Sequence, residues 1–349
     1  MDLDLRYDKT RGIYVLNGLR VMPLPKGSLE LIQDYVGAIL GLATKSIFED
    51  AMATTVYSFL TDLAKNRQIK IKNDERCEEE LFSMFRGLGF GNIGVVSKDI
   101  NSYSLTMDHS FNSFLSITKP MTYCYQAGGL LTALYRLMLG KDVKVNELKC
   151  KTTGNSDIDW FEMIILNEKK EFSYINSPSY PFDAKNPNPD LEKVEISNSE
   201  YGVTINSMPV EIVPVIFFPY LFSKLRKIIG MGVYGIQYGI GTTMSKLYVP
   251  YSLPQVASKY QVAGFDVLAP LAGVGFVKSI KNDFGGLQEV DVYDSFNALH
   301  VDAETEKRCY LLAGILTGLS YFLLGTNLKL KEADCSSVNN SFCKFSFEK

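Results

Sequence analysis

A 27-residue segment occurs twice, and this limits the folds open to the chain more than any other feature. "CYQAGGLLTALYRLMLGKDVKVNELKC", Cys124 to Cys150, aligns without a gap on "CYLLAGILTGLSYFLLGTNLKLKEADC", Cys309 to Cys335, at a constant offset of 185. Upstream, "DHSFNSF" from Asp108 falls on "YDSFNAL" from Tyr293 at the same offset, and "NGLRVMPLP" loosely matches "TINSMPVEI" near Met208. Two related halves are the economical reading. Between them "NEKKEFSYINSPSYPFDAKNPNPDLEK", rich in proline, asparagine and charge, reads as a linker over 167–193. The expected modules are therefore 1–166 and 194–349.

Each half repeats one coarse order. An extended start such as "GIYVLNGLRV" leads into long helices (Leu29 to Ala64 in the first half) and the helix "DERCEEELFSMFRGL". Extended segments, "IGVVSKD" and "YSLTMDH", precede a helix rich in small residues, and alternating strands follow, "DVKVNEL" and "NLKLKEA". The pattern predicts an α+β fold with helices packed on an antiparallel sheet. With 349 residues, 46% hydrophobic, each half can bury a core without disulfides or metal.

The longest uncharged apolar helix, Cys309 to Gly325, is near the lower limit for a membrane span. Its first-half counterpart carries Arg136, which a bilayer tolerates badly, so both helices read as buried core and no membrane span is expected. A net charge of −3, with the basic run from Lys65 to Arg76 diluted by acids, argues against direct nucleic-acid binding. The start "MDLDLRYDKTRG" lacks the apolar core of a secretory leader and any lipidation motif, so a cytoplasmic protein with reduced thiols is expected.

Chemistry concentrates at the cysteines. The second half spaces them as Cys309-x22-Glu332-x2-Cys335-x7-Cys343, with the loop "SSVNNS" before Cys343. Three thiolates and a carboxylate suit a closed tetrahedral Zn²⁺ site. Equally, Cys309 is an ordinary buried thiol and the hairpin pair incidental. The first half keeps Cys124, Glu147 and Cys150 but has Ile158 at the fourth position; one inserted residue brings Asp159 opposite Cys343. The remaining motifs point to structure. "GFGNIG" from Gly89 and "GMGVYG" from Gly230 lack the strand, helix and acid of a dinucleotide site and read as close packing. His109 and His300 are not repeated between halves, and Cys77 sits among charges on a helix face. No nucleophile elbow, HExxH or paired acids nominate an active site, so no enzyme activity is expected.

The small-residue helix, the strand ending in Glu-x-x-Cys and the later Cys-x-Phe together resemble the 4-vinyl reductase domain, whose fold is shared with small subunits of the TRAPP transport complex. The likeness covers both halves, most tightly over 124–163 and 309–347. It implies a tandem pair of such modules joined as an intramolecular pseudo-two-fold dimer. It also implies Zn²⁺ at Cys309, Glu332, Cys335 and Cys343, as in aromatic-responsive activators that carry the domain. A second metal set, Cys124, Glu147, Cys150 and Asp159, follows by position.

The function implied is non-enzymatic sensing of a small apolar or aromatic ligand, passed to an unidentified protein partner. A TRAPP-like scaffold or assembly role is the alternative, and an accessory role in tetrapyrrole metabolism the third. Aromatic residues and glycines from about Ile216 to Phe276 suggest the wall of an apolar cavity in the second half, with the first half filled.

Overall fold

The computed structural model describes the chain apart from residues 1–3, 9–10, 68–69, 109–123, 154–155, 167–170, 177–193, 200–201, 257–272, 282–286, 294, 296–308, 325–327, 336–341 and 348–349. His109, His300, the loop 336–341 and most of the expected linker lie outside the described residues.

The first half opens with strands β1 (Leu5–Asp8), β2 (Ile13–Leu16) and β3 (Leu19–Pro25), followed by helices α1 (Ser28–Leu40), α2 (Ala43–Arg67) and α3 (Glu75–Gly87). Strands β4 (Asn92–Lys98) and β5 (Ser102–Asp108), helix α4 (Tyr125–Leu139) and strands β6 (Val143–Lys149) and β7 (Asp159–Ile165) complete it. The second half runs β8 (Ile196–Ser199), β9 (Gly202–Ile205), β10 (Met208–Pro214), α5 (Phe217–Ile229), α6 (Val233–Val256), β11 (Phe276–Lys281) and β12 (Leu287–Tyr293). It ends with α7 (Tyr310–Leu324), β13 (Leu330–Asp334) and β14 (Cys343–Phe347). The class is α+β and every strand pairing is antiparallel.

Among the described residues the strands form three sheets. Each half builds its own four-stranded sheet, in the matching orders β4-β5-β7-β6 and β11-β12-β14-β13, and the halves jointly build a six-stranded sheet, β1-β2-β3-β10-β9-β8. The seam is the β3–β10 ladder, with Met22 opposite Val213 and Leu24 opposite Glu211. Seam residues such as Met22, Leu24 and Val213 are fully buried, so one core runs through both halves.

The hairpin turns refine the correspondence read from sequence. Asn17 and Asn206 turn their hairpins at positive φ, and Gly41 and Gly230 end α1 and α5 at φ near +60°, each pair 189 residues apart. From the start of each half through these helices the matching turns are thus 189 residues apart rather than 185, which sets Leu19 opposite Met208. Gly41 marks the boundary between α1 and α2 within the stretch Leu29 to Ala64, where long helices are expected.

Two helix pairs pack with their backbones almost touching, which explains the small residues. A Cβ on Gly129 of α4 would lie 2.5 Å from the Glu49 carbonyl of α2, and one on Gly314 of α7 2.2 Å from the Tyr238 carbonyl of α6. The halves also cross-pack. Tyr35 of α1 presses on Gly239 of α6, and at the equivalent place Lys224 of α5 pairs with Asp50 of α2 at 2.8 Å.

Gly89 is close packing, as expected, since a Cβ there would meet the Val210 carbonyl at 2.3 Å. Gly230 is not: a Cβ would meet nothing, and its role is the left-handed turn between α5 and α6. Residues 171–176, the described part of the expected linker, are docked rather than loose. The Phe172 ring meets Tyr57 edge-on at 5.2 Å, and the Ile175 N–H donates to Ser58 Oγ at 3.0 Å. Among the described residues no helix is long and apolar enough to cross a membrane.

Candidate metal centres and the adjoining pocket

In the second half, four elements deliver one side chain each to one point. Cys309 immediately precedes α7, Glu332 lies on β13 beside a bulge, Cys335 follows that strand, and Cys343 begins β14. The Cys309 Sγ stands 3.1 Å from that of Cys343 and 3.7 Å from that of Cys335, with 4.0 Å between the other two. The four ligand atoms lie within 4.8 Å of one another. Tetrahedral sulfur ligands about 2.3 Å from Zn²⁺ stand about 3.8 Å apart, so the spacing fits. None of these cysteines is in a disulfide, and all three are fully buried.

Glu332 divides its carboxylate between two tasks. Its Oε2 accepts the Cys309 backbone N–H at 3.1 Å, satisfying a donor at the start of α7, while its Oε1 is buried with no hydrogen-bond partner. An orphaned buried oxygen beside three thiols is the donor set a thiophilic cation completes. Burial raises the Glu332 pKa to about 8 and pushes the Cys309 thiol well up, so the metal-free cluster retains protons that a cation displaces.

The first half repeats the arrangement with one change. Cys124 precedes α4, Glu147 sits beside a bulge on β6, Cys150 opens a short 3₁₀ turn (Lys151–Thr153), and Asp159 begins β7. Glu147 Oε2 accepts the Cys124 N–H at 3.0 Å and Oε1 is buried without a partner, as at Glu332. Glu147 pairs with Phe161 and Glu332 with Phe345, so Asp159 and Cys343 occupy the same register, each two residues ahead of its Phe. Here too the four ligand atoms lie within 4.8 Å.

The electrostatics differ from the second half. The Cys124 and Cys150 sulfurs are 3.4 Å apart, Thr152 Oγ1 reaches Cys150 Sγ at 2.8 Å, and Asp159 Oδ1 accepts the Lys151 N–H at 2.7 Å. Burial raises Glu147 while hydrogen bonds from Cys124 and then Thr152 lower Cys150, so carboxyl and thiol compete for one proton.

A pocket of about 430 Å³ adjoins the second cluster and opens to solvent. Tyr234 and Tyr238 of α6, Tyr310 and Ala313 of α7, Lys329, and Lys331 and Glu332 of β13 line it, so Glu332 belongs to both pocket and cluster. Tyr234 and Tyr310 stack with ring centroids 4.4 Å apart and planes 21° apart. The Tyr238 hydroxyl donates to Thr317 Oγ1 at 2.8 Å.

Only part of the aromatic stretch expected to wall a cavity does so. Phe217, Phe218 and Phe222 are buried core, and the pocket is an open cleft rather than an enclosed void. Residues 257–272 of that stretch lie outside the described residues. What sequence reasoning missed was Lys329 and Tyr310, although Tyr310 directly follows the metal-motif Cys309.

No family model matches the chain, and no curated protein matches it. Three solved structures resemble parts of it. The phenol-responsive sensory domain of the transcription activator PoxR, with phenol, is 17% identical at TM-score 0.39 and covers 46% of this chain and 84% of its own. A vinyl-4-reductase family protein from Methanocaldococcus jannaschii is 16% identical at TM-score 0.25, covering 33% and 69% respectively. Subunit 3 of a trafficking protein particle complex from Naegleria fowleri, covalently bound to palmitic acid, is 18% identical at TM-score 0.32, covering 42% and 98%. The families that the sequence resembles are thus met again among solved structures. All three TM-scores are below 0.5, and the chemistry rests on the side chains described above.

Proposed function

We propose that the chain is a duplicated module, 1–166 and 194–349 joined by 167–193, whose halves pair as an intramolecular pseudo-two-fold dimer. The second half binds a small apolar or aromatic ligand beside a structural Zn²⁺ site, without enzymatic turnover. Glu332 carries the reading: Oε2 holds the start of α7, Oε1 is buried with no hydrogen-bond partner in a residue clustered with three buried thiols, and the same residue lines the pocket.

A cation held by Cys309, Glu332, Cys335 and Cys343 would pin the end of β13 and the start of β14 to the start of α7, supplying structural rigidity. Cys124, Glu147, Cys150 and Asp159 would hold a second. The strand order β1-β2-β3-β10-β9-β8, which reads alike from either end, supports the paired-module reading. Because the seam buries both halves in one core, a change at the pocket has a rigid route to the surface, where a protein partner would read it.

Native mass spectrometry of the full chain, purified without chelator, tests this. Expected are bound zinc lost from the Cys335→Ser variant and a retained or added aromatic compound lost from Tyr310→Ala. Absence of zinc from the second cluster overturns the metal reading. Zinc without any aromatic ligand favours a scaffold.

A further inference from the structure

The pocket of the second half has a counterpart in the first, and the two differ at their polar residues. The helix offset of 189 places Lys45 and Glu49 of α2 where Tyr234 and Tyr238 stand on α6. The packing agrees, because the glycines at matching positions on α4 and α7, Gly129 and Gly314, meet the carbonyls of Glu49 and Tyr238. On the strands, Lys144 of β6 stands where Lys329 precedes β13.

In the first half Lys45 and Glu49 form a partly exposed ion pair. Lys45 Nζ lies 3.8 Å from Glu49 Oε1, and the Glu49 carboxylate reaches across Gly128, 3.4 Å from where a Cβ would stand. Burial raises the Glu49 pKa, and the cations Lys45 and Lys144 work against that rise. In the second half the strand lysine is kept, whereas the acid has become a phenol that turns aside to Thr317. The place of Lys45 is taken by a tyrosine stacked on Tyr310, and Ala313 stands in the place of Gly128. Where the first half has an acid paired with Lys45, the second has a cleft with an aromatic wall, lined also by Lys329, Lys331 and Glu332.

We propose that this cleft takes a flat aromatic carboxylate, its ring against the Tyr234–Tyr310 pair and its anionic head group at Lys329. The inference rests on the reading of the cleft as a ligand site. The volume suits a one- or two-ring compound. Tyrosine faces supply apolar contact, and an ammonium–carboxylate hydrogen bond is stronger than one to a neutral head group.

The test titrates 2-naphthoate and 2-naphthamide, equal in shape and unequal in charge, into the full chain by calorimetry. The acid is expected to bind about tenfold or more tighter than the amide. Lys329→Met, which keeps most of the apolar stem, should erase that difference. Tyr238→Glu, which rebuilds the acid of the first half, should weaken the acid more than the amide. Equal binding of acid and amide, or a preference that survives Lys329→Met, overturns the placement of an anionic head group at Lys329 but leaves the ligand site standing. Binding of neither compound overturns both.

Discussion

The backbone N–H of Cys309 donates to Glu332 Oε2 at 3.1 Å, and Cys124 does the same to Glu147 at 3.0 Å. A strand carboxylate thus caps a helix whose first flanking residue is a thiol in the same cluster. With Oε2 taken by that N–H, Oε1 is the oxygen left for a cation, so capping and the proposed ligation can be separated by mutation. Glu332→Gln keeps an oxygen for the Cys309 N–H but loses the charge; its metal-free urea midpoint should stay near wild type while zinc affinity falls by about tenfold or more. Glu332→Ala loses both and should cost about 0.5–2 kcal/mol even without metal. A Gln variant that keeps full affinity against a chromophoric chelator would remove Glu332 from the ligand set.

The two clusters should release metal in order. Three thiolates and one carboxylate in the second half make a softer site than the two of each in the first, and softer sets hold Zn²⁺ more tightly. Stepwise chelation followed by native mass spectrometry should therefore empty the first cluster before the second. Cys335→Ser should lower the Tm by about 5 °C or more at saturating zinc, and Cys150→Ser by less. Equal loss from both clusters, or the reverse order, contradicts this.

What could be read from sequence follows from where the physics is local. The residues of the two clusters were legible because their spacing is repeated, and Asp159 was reachable once one residue was allowed between Cys150 and the last strand. The seam was not legible. Pro23 and Pro25 in β3, and Pro209 and Pro214 in β10, lack the N–H that interior strands donate, and argue for edges; yet β3 and β10 pair at the centre of the shared sheet. The choice between wall and core in "IFFPYLF" was also hidden, because an aromatic residue packs equally well in either and only neighbours distant in sequence decide. Lys329 was overlooked since one lysine among several carries no pattern until Lys144 and Glu49 show what stands opposite it.

Glycines at the helix seam and at the pocket rim should respond oppositely to one methyl group. A Cβ at Gly314 would sit 2.2 Å from the Tyr238 carbonyl, a backbone atom that cannot swing away, whereas one at Gly235, within α6, meets nothing within 4 Å. Gly314→Ala should cost about 1–3 kcal/mol or more by forcing α6 and α7 apart. Gly235→Ala should stabilise by about 0.5–1 kcal/mol through helix propensity. Urea midpoints of the two variants check this, and a neutral Gly314→Ala would mean that the helices adjust freely.

A buried acid at the seam predicts a pH dependence that belongs to the joined halves. Glu211 of β10 is fully buried opposite Leu24, and one of its oxygens accepts the Gly27 N–H at the start of α1 at 2.9 Å. Burial raises its pKa from 4.5 to about 8, with Lys26 and the Gly27 bond pulling the other way. The folded chain therefore holds a proton that the unfolded chain has released between those values. The contribution of a raised acid is fully present below the unfolded value and is lost as pH rises through the folded one. Glu211→Gln keeps an acceptor for Gly27 and has no proton to lose. Its stability should match wild type near pH 5 and exceed it increasingly toward pH 9, by a few kcal/mol at most. Urea unfolding of both proteins at pH 5, 7 and 9 measures the difference directly, and parallel curves across that range would mean that Glu211 titrates normally at the seam.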